Sequence, residues 1–401
     1  MTKNKEAGIT VKDLLQLVPI HLLEQTAEET KVNKNVKKLT GEVMFQLLLM
    51  GVLDSERLSL RIMEDLYKSK QFQLYAGLEN GTTTKHTSLS DRLININVSF
   101  FEQMFHSVHN KLSTHFPAPV IKKHLIVRYD STCISASAKL LQSGMFNGLP
   151  NKKSGEHTMR QIKATIGFNG LYSQSLKIYS DQSHLAEDLA LTEAIEQYKH
   201  TKDSIIVFDR GLKKRSTFAN FSKEGKAFVT RINPTKNYQT IKTLHQVDTL
   251  KTDTLSFISD QEVFLFHKDK RKLKVPFRLI KACNTITEEE LFFLTNVYDL
   301  KAQDIALIYK SRWEIEVFFR FLKQELNLKH FASYSLNGIQ VMIYMILIAA
   351  MLIMIYKKLN NISSYKRAKL IFMEGLDTEI VRKIVELCGG DPEKTPLLKP
   401  T

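Results

Sequence analysis

The 401-residue chain has only three cysteines, Cys133, Cys283 and Cys388, widely separated and without a Cys-x-x-Cys pair. That scarcity excludes a cysteine-based zinc module and a disulfide framework, and it fits a reducing compartment. Nine prolines and sixteen glycines leave little room for long flexible linkers. The first ten residues, with Lys3, Lys5 and Glu6, hold no apolar stretch of signal-peptide length, so a cytoplasmic location is expected. Hydrophobic residues at 43% and charged residues at 25% exclude intrinsic disorder and collagen-like repeats. Acidic side chains are also short: 42 Asp and Glu face 57 Lys and Arg, a net charge of +15. Such a balance favours a polyanionic partner. The surplus is uneven, because residues 1–120 carry 14 basic and 13 acidic side chains while residues 121–401 carry 43 and 29.

Long hydrophobic runs are nearly absent too. The exception is Ile339–Tyr356, apolar apart from Gln340, which has the length of a membrane span. A helix buried on all sides reads the same way. The flanking Lys329 and Lys357–Lys358 give no strong charge asymmetry, so a buried core helix is expected and no membrane partner.

Residues 1–118 read as helical, with apolar residues at helical spacing in Val11–Leu23, Gly41–Leu53, Leu58–Tyr67 and Ser88–Leu112. Pro117 and Pro119 mark a boundary, after which the period changes. His124–Tyr129 reads as a buried strand ending in Asp130, and Ser204–Phe208 as a second one ending in Asp209. Between them, Ile162–Phe168 and Ser173–Tyr179 predict a hairpin around Asn169–Gly170, and His184–Tyr198 predicts an amphipathic helix. From Phe218 to Leu300 the chain is β-rich, with strands expected at Ala227–Ile232, Glu262–His267, Pro276–Ala282 and Leu291–Val297. A helix is predicted over Ala302–Leu326, and a last amphipathic stretch over Thr378–Leu387.

Ligands and catalytic groups gather at strand ends in open α/β sheets, so two aspartates placed there outweigh one that merely caps a turn. On the Ala302–Leu326 helix, Tyr309, Arg312, Glu316, Arg320 and Lys323 recur at steps of three or four and share a face. Glu316 can simply pair with Arg312 and Arg320 on a solvated face. The opposite face is strongly apolar (Ile308, Trp313, Ile315, Phe318, Phe319, Leu322), and Trp313 is expected to be core. A carboxylate ringed by cations on a core-packed helix suits a metal site beside a phosphate backbone. His184 and Asp188 lie one helical turn apart and are expected to be a helix-start cap and surface pair rather than metal ligands.

The pattern Tyr309-x2-Arg312-x3-Glu316-x6-Lys323 resembles the signature of DDE transposases of bacterial insertion sequences, in the insertion-sequence-four branch. Asp130-Ser131-Thr132 and Asp209-Arg210-Gly211-Leu212 are similar to that family's first and second catalytic segments; many members have an aromatic residue where this chain has Leu212. The likeness runs from about Ile121 to Leu326. It implies an α/β fold with an RNase H-like catalytic core, residues 119–356, interrupted at about 218–300 by a β-rich insertion. A helical N-terminal DNA-binding domain, 1–118, precedes it, and a helical C-terminal region, 357–401, is a candidate for dimerisation. Asp130, Asp209 and Glu316 are implied as catalytic metal ligands for two Mg²⁺ ions, with Mn²⁺ able to substitute. Carboxylate oxygens are hard ligands of the kind these ions take.

Arg312 and Lys323 are implied as phosphate contacts, and Tyr309 as another, with packing of the helix as its alternative. Arg210, Lys213, Lys214 and Arg215, together with the basic cluster Lys268–Lys274, are expected to touch DNA phosphates. The implied partners are double-stranded DNA, as terminal inverted repeats and target, and a second copy on paired ends. The expected activity is cleavage at the element ends and joining of the 3′-OH to target DNA. A catalytically inactive DNA-binding repressor or architectural protein derived from a transposase is the alternative, and an integral membrane protein a more distant one.

Overall fold

A computed structural model describes residues 9–150, 152–247, 250–267 and 271–394. Seven helices come first: α1 (Val11–Gln16), α2 (Ile20–Thr30), α3 (Gly41–Asp54), α4 (Leu60–Lys68), α5 (Lys70–Tyr75), α6 (His86–Asn95) and α7 (Val98–His115). The strands β1 (Val120–Ile121), β2 (His124–Ser137), β3 (Met145–Asn147), β4 (Met159–Phe168) and β5 (Ser173–Tyr179) follow. Next are α8 (Glu187–Gln197), β6 (Ser204–Phe208) and α9 (Arg215–Lys223). Then come β7 (Ala227–Ile232), β8 (Tyr238–His245), β9 (Leu255–Phe266), β10 (Lys272–Asn284) and β11 (Glu290–Thr295). The chain closes with α10 (Ala302–Lys310), α11 (Trp313–Glu325), α12 (Leu336–Leu359) and α13 (Tyr365–Leu387).

Two compact units result: one of residues 1–117, 134–161 and 319–401, the other of residues 118–133 and 162–318. The division falls within β2, β4 and α11.

The first unit is mainly helical. Its breaks have local causes. Pro19 separates α1 from α2, since a proline inside a helix removes an amide donor and clashes with the preceding turn. Asn97 separates α6 from α7: its side-chain oxygen accepts from the Ser99 amide at 3.0 Å, and its amide group donates to the Thr30 carbonyl at 2.8 Å. The apolar run forms α12, which packs against α3, α6, α7 and α13. It is long and apolar enough to cross a membrane, and 94% of its most apolar window is buried inside the protein. That burial agrees with a helix that is hydrophobic all round.

The second unit is a mixed sheet with helices on both faces. Strand order is β4-β2-β6-β7-β11-β10-β9-β8, with β5 beside β4 and β1 beside β2. The strands β2, β6 and β7 run parallel, and β7 to β11 to β10 to β9 to β8 are antiparallel. Alternate residues face opposite ways along each strand. Val127, Tyr129, Ile206, Phe208 and Phe228 therefore bury one face under α8 and α9, through Leu191, Ile195, Phe218 and Phe221. Ile126, Ile205, Val207 and Val229 bury the other under Ile305 and Ile308 of α10. Burial on both sides explains why β6 reads as a continuous apolar run. The predicted hairpin is β4–β5, antiparallel, and Gly170 takes its turn at φ +94°, a region that favours glycine.

Candidate active site

The register of β2 on β6 sets the first pair of acids. These parallel strands match from Leu125 with Ser204 to Tyr129 with Phe208. Asp130 and Asp209 come next on each, close enough for the Asp209 charge to act on the Asp130 carboxyl. Asp209 follows the end of β6 as expected, but Asp130 lies inside β2, which continues to Ser137. What ends at Asp130 is the pairing with β6. Asp130 Oδ1 accepts from the Ser131 amide at 2.8 Å, and Asp209 Oδ1 from the Gly211 amide at 2.8 Å. Burial raises the Asp130 carboxyl to about 6; Asp209 and Glu187 nearby push the same way, against the Ser131 amide and Arg312.

Glu316 approaches through an arginine. Arg312 Nη2 donates to Glu316 Oε1, and Arg312 Nη1 lies 3.9 Å from Asp130 Oδ2. One guanidinium thus spans the first acid and the helical one. Tyr309 lies beside Arg312, Arg231 and Asp209, with its hydroxyl pKa raised by burial. Its ring packs against Phe293 and under the Arg231 guanidinium at 6.0 Å, so it serves the core and borders the site at once.

The single helix expected over Ala302–Leu326 is two helices broken at Ser311–Arg312. Arg128, buried in β2, accounts for the break. Its Nε donates to the Ser311 carbonyl at 2.8 Å, its Nη1 to the Ile126 carbonyl at 2.9 Å, and its Nη2 pairs with Glu314 at 3.0 Å. The same Ser311 carbonyl accepts the Glu314 amide at 3.0 Å, a tight turn of three residues in place of an α-helical step of four. Beyond the turn, Phe318 stacks on Phe168 of β4 at 4.4 Å. Trp313, expected in the core, opens α11 and is 55% exposed, whereas Ile308, Ile315, Phe319 and Leu322 are buried as expected.

The remaining expected residues divide. Arg210, Lys213 and Lys214 are exposed. Arg215 is half-buried, and its Nη1 donates to the carbonyls of Asn237 at 3.1 Å and Phe266 at 2.7 Å. Lys323 lies on the part of α11 that belongs to the helical unit, partly buried. In the cluster Lys268–Lys274, residues 268–270 lie outside the described residues; Lys272 and Lys274 sit on β10. Asp188 accepts from the Lys213 and Lys214 amides just before α9, and His184 pairs with Glu193 at 2.9 Å, so each of the two has a different partner and neither caps a helix.

Sequence reading missed Arg128, Lys163 and Glu187. The Glu187 carboxylate accepts from the Ser131 hydroxyl at 2.6 Å and pairs with Lys163 at 2.9 Å. A positive charge inside the apolar runs His124–Tyr129 and Ile162–Phe168 was the available signal, since a charge buried in a strand needs a partner.

As a donor set, Asp130 and Asp209 fit a hard divalent cation. They are two carboxylates placed together, one of them held toward its neutral form by burial. Among the described residues no three His, Cys, Asp or Glu side chains form a metal-binding group. Glu316 is bonded to Arg312 instead.

Residues 121–352 match the family described as "Transposase DDE domain", a stretch that includes Asp130, Asp209 and Glu316. The chain belongs to the DDE transposases. Three proteins named as transposases resemble parts of this family member. The y4zB protein of Sinorhizobium fredii is 27% identical over 39% of this chain and 44% of its own length. The protein named for insertion sequence element IS5377 of Geobacillus stearothermophilus is 25% identical over 46% of this chain and 50% of its own. The one named for element IS4SA of Synechocystis is 27% identical over 56% and 58%. The chain thus spans about half the length of the curated relatives it matches. Among solved structures, the piggyBac transposase synaptic complex with hairpin DNA aligns over 100% of this DDE transposase and 88% of that chain, at 11% identity and a TM-score of 0.47.

Proposed function

We propose that the protein is the transposase of a bacterial insertion sequence of the insertion-sequence-four branch. It binds the element's terminal inverted repeats, cleaves DNA at the ends and joins the 3′-OH to target DNA. The observation that supports this best is the placement of Asp130 and Asp209 side by side on parallel strands, with Glu316 linked to Asp130 through Arg312, inside the stretch that matches the family.

In this reading the second unit is an RNase H-like core, and Asp130, Asp209 and Glu316 hold two divalent ions, Mg²⁺ or Mn²⁺. Such ions supply activation of the attacking water and stabilisation of the leaving oxyanion. The protein's own groups do the rest. Arg312 offers a planar fork to phosphate oxygens, which suits bidentate contact, and Lys323 a point charge. A phosphate that engages Arg312 competes with Glu316 for the guanidinium, and this releases the carboxylate toward the aspartates. Arg210, Lys213 and Lys214 extend the phosphate contact. The helical residues 1–118 recognise the ends, residues 357–401 contribute to a dimer on paired ends, and the protein works in the cytoplasm.

A catalytically inactive DNA-binding derivative is the second reading, favoured by the Arg312–Glu316 pair that keeps Glu316 out of a ligand group. A supercoiled plasmid bearing the two element ends separates the two. Purified protein should cut at the ends with Mg²⁺ and not without it, and Glu316→Gln should bind the ends without cutting. Binding by both proteins with cleavage by neither, under Mg²⁺ or Mn²⁺, would select the inactive reading.

A further inference from the structure

Ser131, the residue after Asp130, is held from two sides. Its amide donates to Asp130 Oδ1 at 2.8 Å, and its hydroxyl donates to Glu187 Oε1 at 2.6 Å. The same hydroxyl meets Thr165 Oγ1 of β4 at 2.9 Å. Glu187 opens α8, and its second oxygen, Oε2, accepts from Lys163 Nζ at 2.9 Å. Lys163 sits two residues before Thr165 on β4 and so shares its face. Its side chain is only 3% exposed, and Nζ also donates to the Leu185 carbonyl at 2.9 Å, just before α8.

A lysine buried this far must be paired, and truncating one partner of such a pair leaves a costly charge behind. Both of these bonds go to the start of α8. Lys163 therefore fixes Glu187 beside β2 and β4, and Glu187 fixes the Ser131 hydroxyl. Glu187 also borders the second aspartate, because a Cβ built on Gly211 would stand 3.2 Å from Glu187 Cγ and 2.7 Å from Asp209 Oδ1. A residue whose only task was to neutralise Lys163 would not need the serine hydroxyl, nor a position beside both acids.

We infer that Lys163, Glu187 and Ser131 form a positioning relay that orients the Asp130 carboxylate and sets how tightly the Asp130–Asp209 pair takes a divalent cation. Lys163 is the anchor, Glu187 the strut and Ser131 the contact to Asp130. The relay acts through Asp130 and deepens the proposed function, on which it rests.

The test measures Mn²⁺ binding to the full-length protein without DNA, by electron paramagnetic resonance, for the wild type, Ser131→Ala, Glu187→Gln and Asp130→Asn. Outer partners of metal ligands typically change affinity about 10–100-fold, so Ser131→Ala and Glu187→Gln should each weaken Mn²⁺ binding by about tenfold or more. Ser131→Ala should melt close to the wild type, Glu187→Gln should melt lower because buried Lys163 loses its partner charge, and Ser131→Thr, which keeps the hydroxyl, should restore the affinity. In end cleavage, Ser131→Ala should raise the Mg²⁺ concentration for half-maximal rate more than it lowers the rate at saturation. If Glu187→Gln does not fold, Ser131→Ala decides alone. Unchanged Mn²⁺ affinity in Ser131→Ala, with binding lost in Asp130→Asn, would reduce the relay to a structural ion pair. Unchanged affinity in Asp130→Asn as well would remove the cation site, and the proposed function would fail with it.

Discussion

At the scale of single residues, Gly211 is a glycine for want of space. The Cβ of any other residue would fall 2.7 Å from Asp209 Oδ1 and 3.2 Å from Glu187 Cγ, so one of the two acids would have to move. Gly211→Ala should therefore cut end cleavage about 10–100-fold, the loss expected from a displacement of roughly 1 Å at a reacting centre. A melting curve run beside the cleavage assay should show little change. Asp130 makes a prediction about pH. The folded protein holds its proton up to about 6, whereas the ordinary value is 3.8. Between those values the native state binds more protons than the unfolded one, so this group's contribution to stability falls as pH rises and is fully unfavourable above about 6. Asp130→Asn should gain on the wild type by ~2 kcal/mol between about pH 4 and about pH 7, read from urea midpoints in the presence of a chelator. Parallel curves for the two proteins would contradict the shift.

At the scale of elements, the turn between α10 and α11 is placed by β2. Arg128 ties the Ser311 carbonyl and Glu314 to the strand that carries Asp130, two residues further on. This contact makes Arg312 and Glu316 arrive beside Asp130 without any direct bond between the two carboxyl groups. Arg128→Met keeps most of the side-chain volume and removes all three polar contacts. It should cost about 2–4 kcal/mol of stability in urea unfolding. It should also depress cleavage at temperatures where the variant is still folded, because Arg312 and Glu316 lose their fixed distance from β2. A fully active Arg128→Met would mean that α11 is held by its apolar side alone, through Phe318 on Phe168.

At the scale of the whole molecule, the net charge of +15 is an electrostatic statement about the partner. Neutralising six to ten DNA phosphates releases their counterions, and affinity then falls by about 10³–10⁵ between roughly 50 and 200 mM salt. Fluorescence anisotropy with an end-containing duplex should show a loss of this order. A loss below about tenfold would place the basic surplus away from the DNA.

The apolar run of each strand, the change of period after Pro117 and Pro119, and the Tyr309-x2-Arg312-x3-Glu316-x6-Lys323 spacing are local patterns, and they were legible in the sequence. The apolar run of α12 was legible as well, but a span and a core helix read alike, and its burial against α3, α6, α7 and α13 belongs to the fold. Strand pairing and side-chain partners depend on residues far apart in the chain, which no local pattern encodes. Tertiary structure alone decided that Asp130 and Asp209 stand in register on parallel neighbours, that Arg312 bridges Asp130 and Glu316, and that Arg128 breaks the expected helix. It also gave Arg215 the Phe266 carbonyl as a partner, and brought Lys163 and Glu187, 24 residues apart, to the serine beside the first acid. The reason in each case is the same: a buried charge or carbonyl takes the partner that folding delivers to it, and only the fold says which one that is.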